Sequence, residues 1–312
     1  MSRTAVVTGG AGFIGSHVAD RLLADGSEVV VVDDLSTGDA RRVPHEADLE
    51  EVDITDGAQL GRVIDSSAPW AIFHLGAQSS VTVSVADPRR DANVNVMGTL
   101  NVLEAARRHR TPVVFTSTGG ALYGDDAPLP TPEDRLPRPL APYGASKWAG
   151  EAYVITWAAS CDTPHTVCRL GNVYGPRQSP HGEAGVVAIF SHALWSDRRP
   201  TLFGFGKPTR DYVEVSDVAD AMLRAVGAGG VFNIATGVET SVEELYEKLA
   251  AAAGKHVIPE LAPLRAGELT RSCLDPTRAR DVLQWKAQVA LADGLARTYE
   301  ALVSEWERDR SG

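Results

Sequence analysis

Near its start the chain reads "VVTGGAGFIGSH". A β-branched run leads into Gly9, Gly12 and Gly15, and then into an apolar stripe at helical spacing, Ile14, Val18 and Leu22, which Gly26 ends. Strand, tight turn, helix: this order constrains the fold more than any other stretch. The glycines allow the sharp turn and let backbone approach a ligand, whose negative charge would rest on the helix N-terminus. Apolar runs at residues 5–8, 28–33, 71–75, 113–116 and 166–170, with a weaker one near 51–54, then alternate with amphipathic segments. That alternation predicts βαβ units on a parallel sheet. A longer helix is expected to carry Val94, Met97, Leu100 and Leu103 on one face and to end in Arg107-Arg108-His109-Arg110, cations suited to a helix C-terminus.

Asp33 stands at the end of the second run, 18 residues past Gly15. A carboxylate there would accept hydrogen bonds from the ribose of an adenine dinucleotide. Asp33 and Asp34 would also repel a 2′-phosphate, so NAD is expected rather than NADP. Arg41 and Arg42 nearby read as a solvated basic pair. Asp53 and Ile54, at the end of the third strand, are candidates for an adenine contact, with a surface turn as the other reading. "HLGAQSS" ends the fourth strand, where open α/β sheets keep their ligand crevice, and Leu75, Gly76 and Ala77 would let a cofactor pass close to the backbone. His74, inside that strand, reads as structural.

Composition fits a sizeable globular core: 44% of the 312 residues are apolar and 23% charged. The net charge of −11 argues against a nucleic-acid partner. Cys161, Cys168 and Cys273 form no C-x-x-C pair and leave an odd count, so neither a metal site nor a disulfide framework is expected. No apolar run approaches the ~18 residues that cross a bilayer, and the N-terminus enters a strand with no room for a signal segment. A soluble, cytoplasmic protein with no membrane partner is expected. From about residue 171 the texture turns to glycine, proline and aromatic-rich loops. The expected division is a Rossmann-type, doubly wound α/β domain over residues 1–170, joined again by 212–238. A smaller substrate-binding α/β cap would come from 171–211 and 239–312.

"PYGASKWAGE" places Tyr143 and Lys147 four residues apart, on one face of a helix. Thr118, in "FTSTGGALYG", lies 25 residues before Tyr143 at the C-terminal end of a central strand. A hydroxyl, a phenol and an ammonium would then converge. Free tyrosine titrates at about 10, and bringing it near 7 takes about 4 kcal/mol. One cation at roughly 4 Å, with an effective dielectric near 20, supplies that much. Lys147 is the expected tuner, Tyr143 the acid/base, and Thr118 the donor that shares the proton; Ser117 is the second choice for that hydroxyl.

The ordered set "TGGAGFIGSH", "DDLSTG", "HLGAQSSV", "NVNVMGT", "STGGALYG", "PYGASK", "RLGNVYGPRQ", "TRDYVEVSDVA" and "LRAGE" spans nearly the whole chain. It resembles the extended short-chain dehydrogenase/reductases, specifically the NAD-dependent nucleotide-sugar 4-epimerases of the UDP-glucose and UDP-glucuronate type. The resemblance implies NAD contacts from Gly9, Gly12, Phe13, Ile14 and Gly15, from Asp33, Asp34, Leu35 and Ser36, from Asp53 and Ile54, from Leu75, Gly76 and Ala77, and from Tyr143, Lys147 and Val173. It implies that Asn172 and Arg210 meet the diphosphate of a UDP-sugar, and that Arg265 and Glu268 hold diphosphate and ribose. Phe203 would pack on the uracil, with Val186 and Val187 flanking it. Gln78 and Ser79, with Ser80 and Ser84, would face the sugar, loop and cap hydroxyls being the other reading. Asn95 would join helix and sheet. A homodimer through helices at 93–108 and 143–158 is also implied.

Relatives that eliminate water resemble Thr-Asp-Glu at this strand end, and decarboxylating relatives carry a glutamate there. Gly119 and Gly120 can neither give nor take a proton. Hydride taken from C4 by NAD⁺ would then return, and a 4-keto sugar that has turned over would be inverted at C4. UDP-glucose/UDP-galactose 4-epimerase activity is expected. UDP-glucuronate and UDP-N-acetylhexosamine are alternatives, and a 4,6-dehydratase is a further one. A non-catalytic NAD-binding sensor is a reading of another class, but such proteins tend to lose the Tyr/Lys pair that this chain keeps.

Overall fold

The computed structural model describes residues 3–180, 185–265 and 268–311. In the first part the order is β1 (Thr4–Thr8), α1 (Phe13–Ala24), β2 (Glu28–Asp33), β3 (Asp48–Glu51), α2 (Gly57–Ser67), β4 (Ala71–His74), α3 (Val81–Ala86), α4 (Pro88–Ala92), a π-helical turn (Asn93–Met97), α5 (Gly98–His109), β5 (Val113–Thr118), α6 (Pro142–Cys161) and β6 (Thr166–Leu170). There follow β7 (Asn172–Tyr174), α7 (Val186–Trp195), β8 (Thr201–Phe203), β9 (Thr209–Arg210), β10 (Tyr212–Glu214), α8 (Val215–Arg224), β11 (Gly230–Ile234), β12 (Thr240–Ser241), α9 (Val242–Ala252), β13 (Glu260–Ala262), α10 (Thr277–Val282) and α11 (Leu291–Ser311).

The main sheet runs β11-β6-β5-β4-β1-β2-β3, all parallel. Strand alternation sorts its side chains into two cores. Ala5 and Val7 of β1 pack with Val18 and Leu22 of α1 and Met222 of α8. Val6, between them, faces the other layer with Leu60, Ile64, Val102, Leu103 and Phe115. The order reverses between β1 and β4, and there the crevice for a ligand opens. A third core joins α7, α9 and α11 around Phe190, Leu202, Tyr246 and Leu295. Among the described residues no helix is long and apolar enough to cross a membrane, and no His, Cys, Asp or Glu group is placed to hold a metal.

Two expectations need correction. The third strand ends at Glu51, and Asp53 lies in the turn beyond it, accepting from Thr55 N at 2.8 Å. β3 is exposed throughout, an edge held to β2 by backbone pairing, so it carries no apolar signal. In the helix after α4, Leu103 is buried and Val94 packs on the core as expected, but Met97 is not. The π-helical turn carries one extra residue per turn, so Met97 is exposed while Val102, Leu103 and Ala106 are buried.

Candidate active site

At the sheet reversal, two backbone loops meet. Gly9 has φ +70°, and a Cβ there would lie 2.6 Å from Gly76 N. A Cβ on Gly15 would lie 2.1 Å from Gly9 O. No side chain larger than hydrogen fits at either place. Gly12 caps α1 without a side-chain bond, so the first N–H groups of the helix, those of Phe13, Ile14 and Gly15, face outward from a tight turn. Asp33 is buried, and burial pushes its carboxyl up from the ordinary range. It accepts from Ala11 N and Leu35 N, both at 3.0 Å, which fixes the carboxylate at the loop while leaving lone pairs for two ribose hydroxyls. Leu35 takes φ 55° there, and Asp34 accepts from Ser36 N and Oγ. Arg41 is engaged by Asp39 and Asp309. A narrow glycine cradle, a free helix N-terminus and a fixed carboxylate suit an adenine dinucleotide.

His74 belongs to the scaffold. Its ring is buried between Thr8 Oγ1 (2.7 Å) and Thr99 Oγ1 (3.0 Å), and burial, with the charge of Lys147, brings its pKa down to about 3. Thr8 Oγ1 in turn accepts from Gly76 N, so the pair fixes the end of β4. Ile54 is buried, and its side chain abuts Gly98, while Leu75 and Ala77 stay half-buried along the crevice.

α6 begins with Pro142, whose missing N–H costs nothing at a helix start. A Cβ on Gly144 would lie 2.4 Å from Ala121 O, and one on Gly150 would lie 2.8 Å from Phe115 Cζ. These two glycines let α6 lie against β5 and the turn that follows it. Tyr143, next to Gly144 in the first turn of α6, thereby starts the helix against the turn at Ala121. Thr118 Oγ1 accepts from Ala121 N at 3.2 Å and keeps its own proton to give. Ser117 is on the opposite face of the strand, buried, with its hydroxyl unpartnered among the described residues.

Lys147 donates from Nζ to Thr116 O at 3.0 Å, 4.9 Å above the Phe115 ring, and burial lowers its pKa to about 8. Tyr143 is half-buried, and its phenol is pushed up to about 12 by burial and by the charge of Asp91. The Lys147 ammonium is aimed at a backbone carbonyl, and in the chain by itself burial governs the phenol.

Gln78 is held by its own loop. Its amide donates to Asp91 Oδ1 (2.7 Å) and Ser80 O, and its N–H bonds Asn95 Oδ1. Ser80 caps α3 by accepting from Val83 N, and buried Ser84, inside that helix, donates to Val81 O. Ser79 is exposed.

On the far side, Asn172 donates its N–H to Asp211 O at 2.7 Å, and its Oδ1 lies 3.6 Å from where a Cβ on Gly120 would sit. Val173 O is bound by Gln178 Nε2. Arg210 is half-buried, bonded only to Thr209 O, with no carboxylate partner among the described residues. Arg265 stacks 4.0 Å over Phe203 and pairs with Glu268 at 3.1 Å, so one face of the ring expected to meet a base carries a guanidinium. Val186 is half-buried, whereas Val187 is in the third core and its side chain is not available to a ligand.

Sequence reading missed Gly144, Asp91 and Ser146. A glycine in a helix's first turn costs about 1 kcal/mol of propensity, which is the signal that something presses there. Asp91 gives no such sign among the charges of "DPRRDA".

Residues 5–235 match the model of the NAD dependent epimerase/dehydratase family. The UDP-glucose 4-epimerase of Mycolicibacterium smegmatis is 51% identical over 305 residues, 95% of this chain and 97% of that protein. The crystal structure of UDP-glucose 4-epimerase from Thermotoga maritima with UDP-glucose superposes with a TM-score of 0.95 at 42% identity, covering 97% of this chain and 99% of that one. The Thermus thermophilus UDP-glucose 4-epimerase complex with NAD has a TM-score of 0.89 at 42% identity, covering 96% and 98%. With a glycine cradle at the sheet reversal and a Tyr/Lys helix docked beside a hydroxyl-bearing strand end, this chain belongs to the NAD-dependent epimerase/dehydratase family.

Proposed function

We propose that this chain is an NAD-dependent UDP-glucose 4-epimerase that interconverts UDP-glucose and UDP-galactose through a 4-keto sugar. The observation that carries the reading is the docking of Tyr143 and Lys147 beside a strand end where Gly119 and Gly120 offer no group for elimination. Relatives named for this activity, at up to 51% identity, support it. When bound, NAD⁺ supplies the two-electron acceptor and donor for C4 of the sugar.

The chain's own groups do the rest. Gly9, Gly12 and Gly15 with the N-terminus of α1 take the pyrophosphate, and Asp33 takes the ribose. Tyr143 removes the proton at O4 and later returns it, and Thr118 gives a hydrogen bond to the same oxygen. Lys147 contributes positive charge beneath the phenol. Arg210 and Asn172 hold the diphosphate, and Arg265 with Glu268 closes on the nucleoside side. Met97, Trp148 and Ile155, exposed on the segment before α5 and on α6, suit the interface of a homodimer. A monomer on a calibrated sizing column would exclude that arrangement. A cytoplasmic site of action agrees with the reading.

Incubation of the purified protein with a panel of UDP- and dTDP-sugars, with chromatographic separation of products, tests the activity. UDP-glucose and UDP-galactose are expected to interconvert without added NAD⁺ being consumed. A 4-keto-6-deoxy product or a pentose in place of any 4-epimer overturns the proposal.

A further inference from the structure

Asp91 is 1% exposed, yet no cation pairs with it among the described residues. Its Oδ1 accepts from Gln78 Nε2 at 2.7 Å and Asn95 Nδ2 at 3.1 Å. Asn95 Nδ2 also reaches Ser146 Oγ at 3.0 Å, and Ser146 Oγ donates to Tyr143 O at 3.0 Å. The π-helical turn at Asn93–Met97 is what aims Asn95 at all of these partners. One buried chain of hydrogen bonds thus runs from the loop at Gln78 to the helical turn that carries Tyr143. Lys147, one turn further, is likewise buried, with no carboxylate in ion-pair contact among the described residues; its ammonium meets Thr116 O and the Phe115 ring. An isolated buried charge is costly, and two of opposite sign in one packed cluster relieve each other without touching.

We propose that Asp91 is a positioning residue of this site: it fixes the Gln78 loop against α6, and its buried charge balances the ammonium of Lys147. The charged and titratable groups around it are Tyr143, Lys147 and Glu151 of α6, with Arg169 of β6 paired to Glu151 and His74 of β4 neutral. Arg89 and Arg90, on its own helix, are exposed. A negative charge raises the pKa of every neighbouring acid. Asp91 acts in that direction on both Tyr143 and Lys147. Activity that needs the Tyr143 phenolate and the Lys147 ammonium together has both limbs set by these two groups, and Asp91 holds both limbs up together. It places the working window without acting on substrate.

The inference rests on the Tyr143/Lys147 reading, and its test is the pH profile of kcat/KM in the holoenzyme. Asp91→Asn keeps an oxygen for both amide donors and removes only the charge. Melting temperature and bound NAD should stay near wild type, while both limbs move to lower pH by about half a unit or more. A residue that merely braced the fold would lower the curve without translating it. Profiles that superpose, or fall at every pH with both limbs in place, overturn the proposal. If Asp91→Asn does not fold, Asp91→Ser, which leaves room for a water, carries the same expectation. Tyr143→Phe separates the two readings. Activity within a few-fold of wild type in that variant overturns the acid/base assignment. An inactive Tyr143→Phe with an unshifted Asp91→Asn profile overturns the role of Asp91 alone.

Discussion

At the C-terminal ends of the interior strands β1 and β4 the dinucleotide cradle is made of backbone, while across the crevice the groups assigned to the nucleotide-sugar are side chains in or near two- and three-residue strands. Gly9 presses on Gly76 and Gly15 presses on Gly9, with no room for a methyl group at position 9 or 15. Asp33 is tied by two backbone N–H groups. Opposite them, Arg265 is 60% exposed, leaning on Phe203 and Glu268. Exposed ion pairs and cation–π contacts of that kind hold by about 1 kcal/mol or less. The cofactor side is thus set before any ligand arrives, and the substrate side keeps its arginines on contacts cheap enough to exchange. That division suits an enzyme that retains its cofactor and releases its sugar.

The sharpest way to break the comparison is Gly15→Ala. Its methyl would stand 2.1 Å from Gly9 O and 2.8 Å from Gly10 Cα, all backbone, so the turn itself must open. The variant should purify without NAD, seen as a fallen 260/280 nm absorbance ratio, and should melt lower. Retention of NAD would mean that the cradle adapts as readily as the opposite wall. Arg210→Leu should act differently. Loss of one charge-assisted contact of ~1.5–3 kcal/mol raises KM for the sugar nucleotide roughly 10- to 100-fold, with kcat and bound NAD little changed. Arg265→Leu, removing a more exposed cation, should raise KM by only about 3- to 10-fold.

The same contrast decides what could be read from sequence. Strands buried on both faces are continuous β-branched runs, and a glycine cradle leaves its pattern in consecutive residues, so both are visible locally. β3 is not, because "DLEE" has no face to bury and pairs through backbone alone. The π-helical turn at Asn93–Met97 moves Met97 off the buried face, and nothing in the apolar stripe marks it. Phe203 and Arg265 meet across 62 residues of chain, and their stacking leaves no trace in either neighbourhood. Asp91 reads as one more surface charge until the Gln78 loop is seen folded over it.

The glycine pair after β5 sharpens the comparison at its finest grain, because one member is enforced by packing and the other is not. A Cβ on Gly119 would lie 2.2 Å from Leu274 Cδ1, and Leu274 is fully enclosed with Leu122, Tyr123 and Ala235. The missing side chain there follows from the fit of the second half of the chain against the first, before any question of catalysis. Gly120 is different: a Cβ would meet only Asn172 Oδ1, at an ordinary 3.6 Å. Gly119→Ala should therefore cost about 1–2 kcal/mol by overpacking, read as a lower midpoint in denaturant. Gly120→Ala should stay within about 0.5 kcal/mol of wild type and keep turnover within a few-fold. If the two variants are equally destabilised, the turn's backbone, not Leu274, requires glycine, and position 120 is no more open to a side chain than position 119. If they differ as expected, the side chain missing at Gly120 cannot be ascribed to packing, and of the two glycines it is the one that bears on the choice between returning hydride and eliminating water.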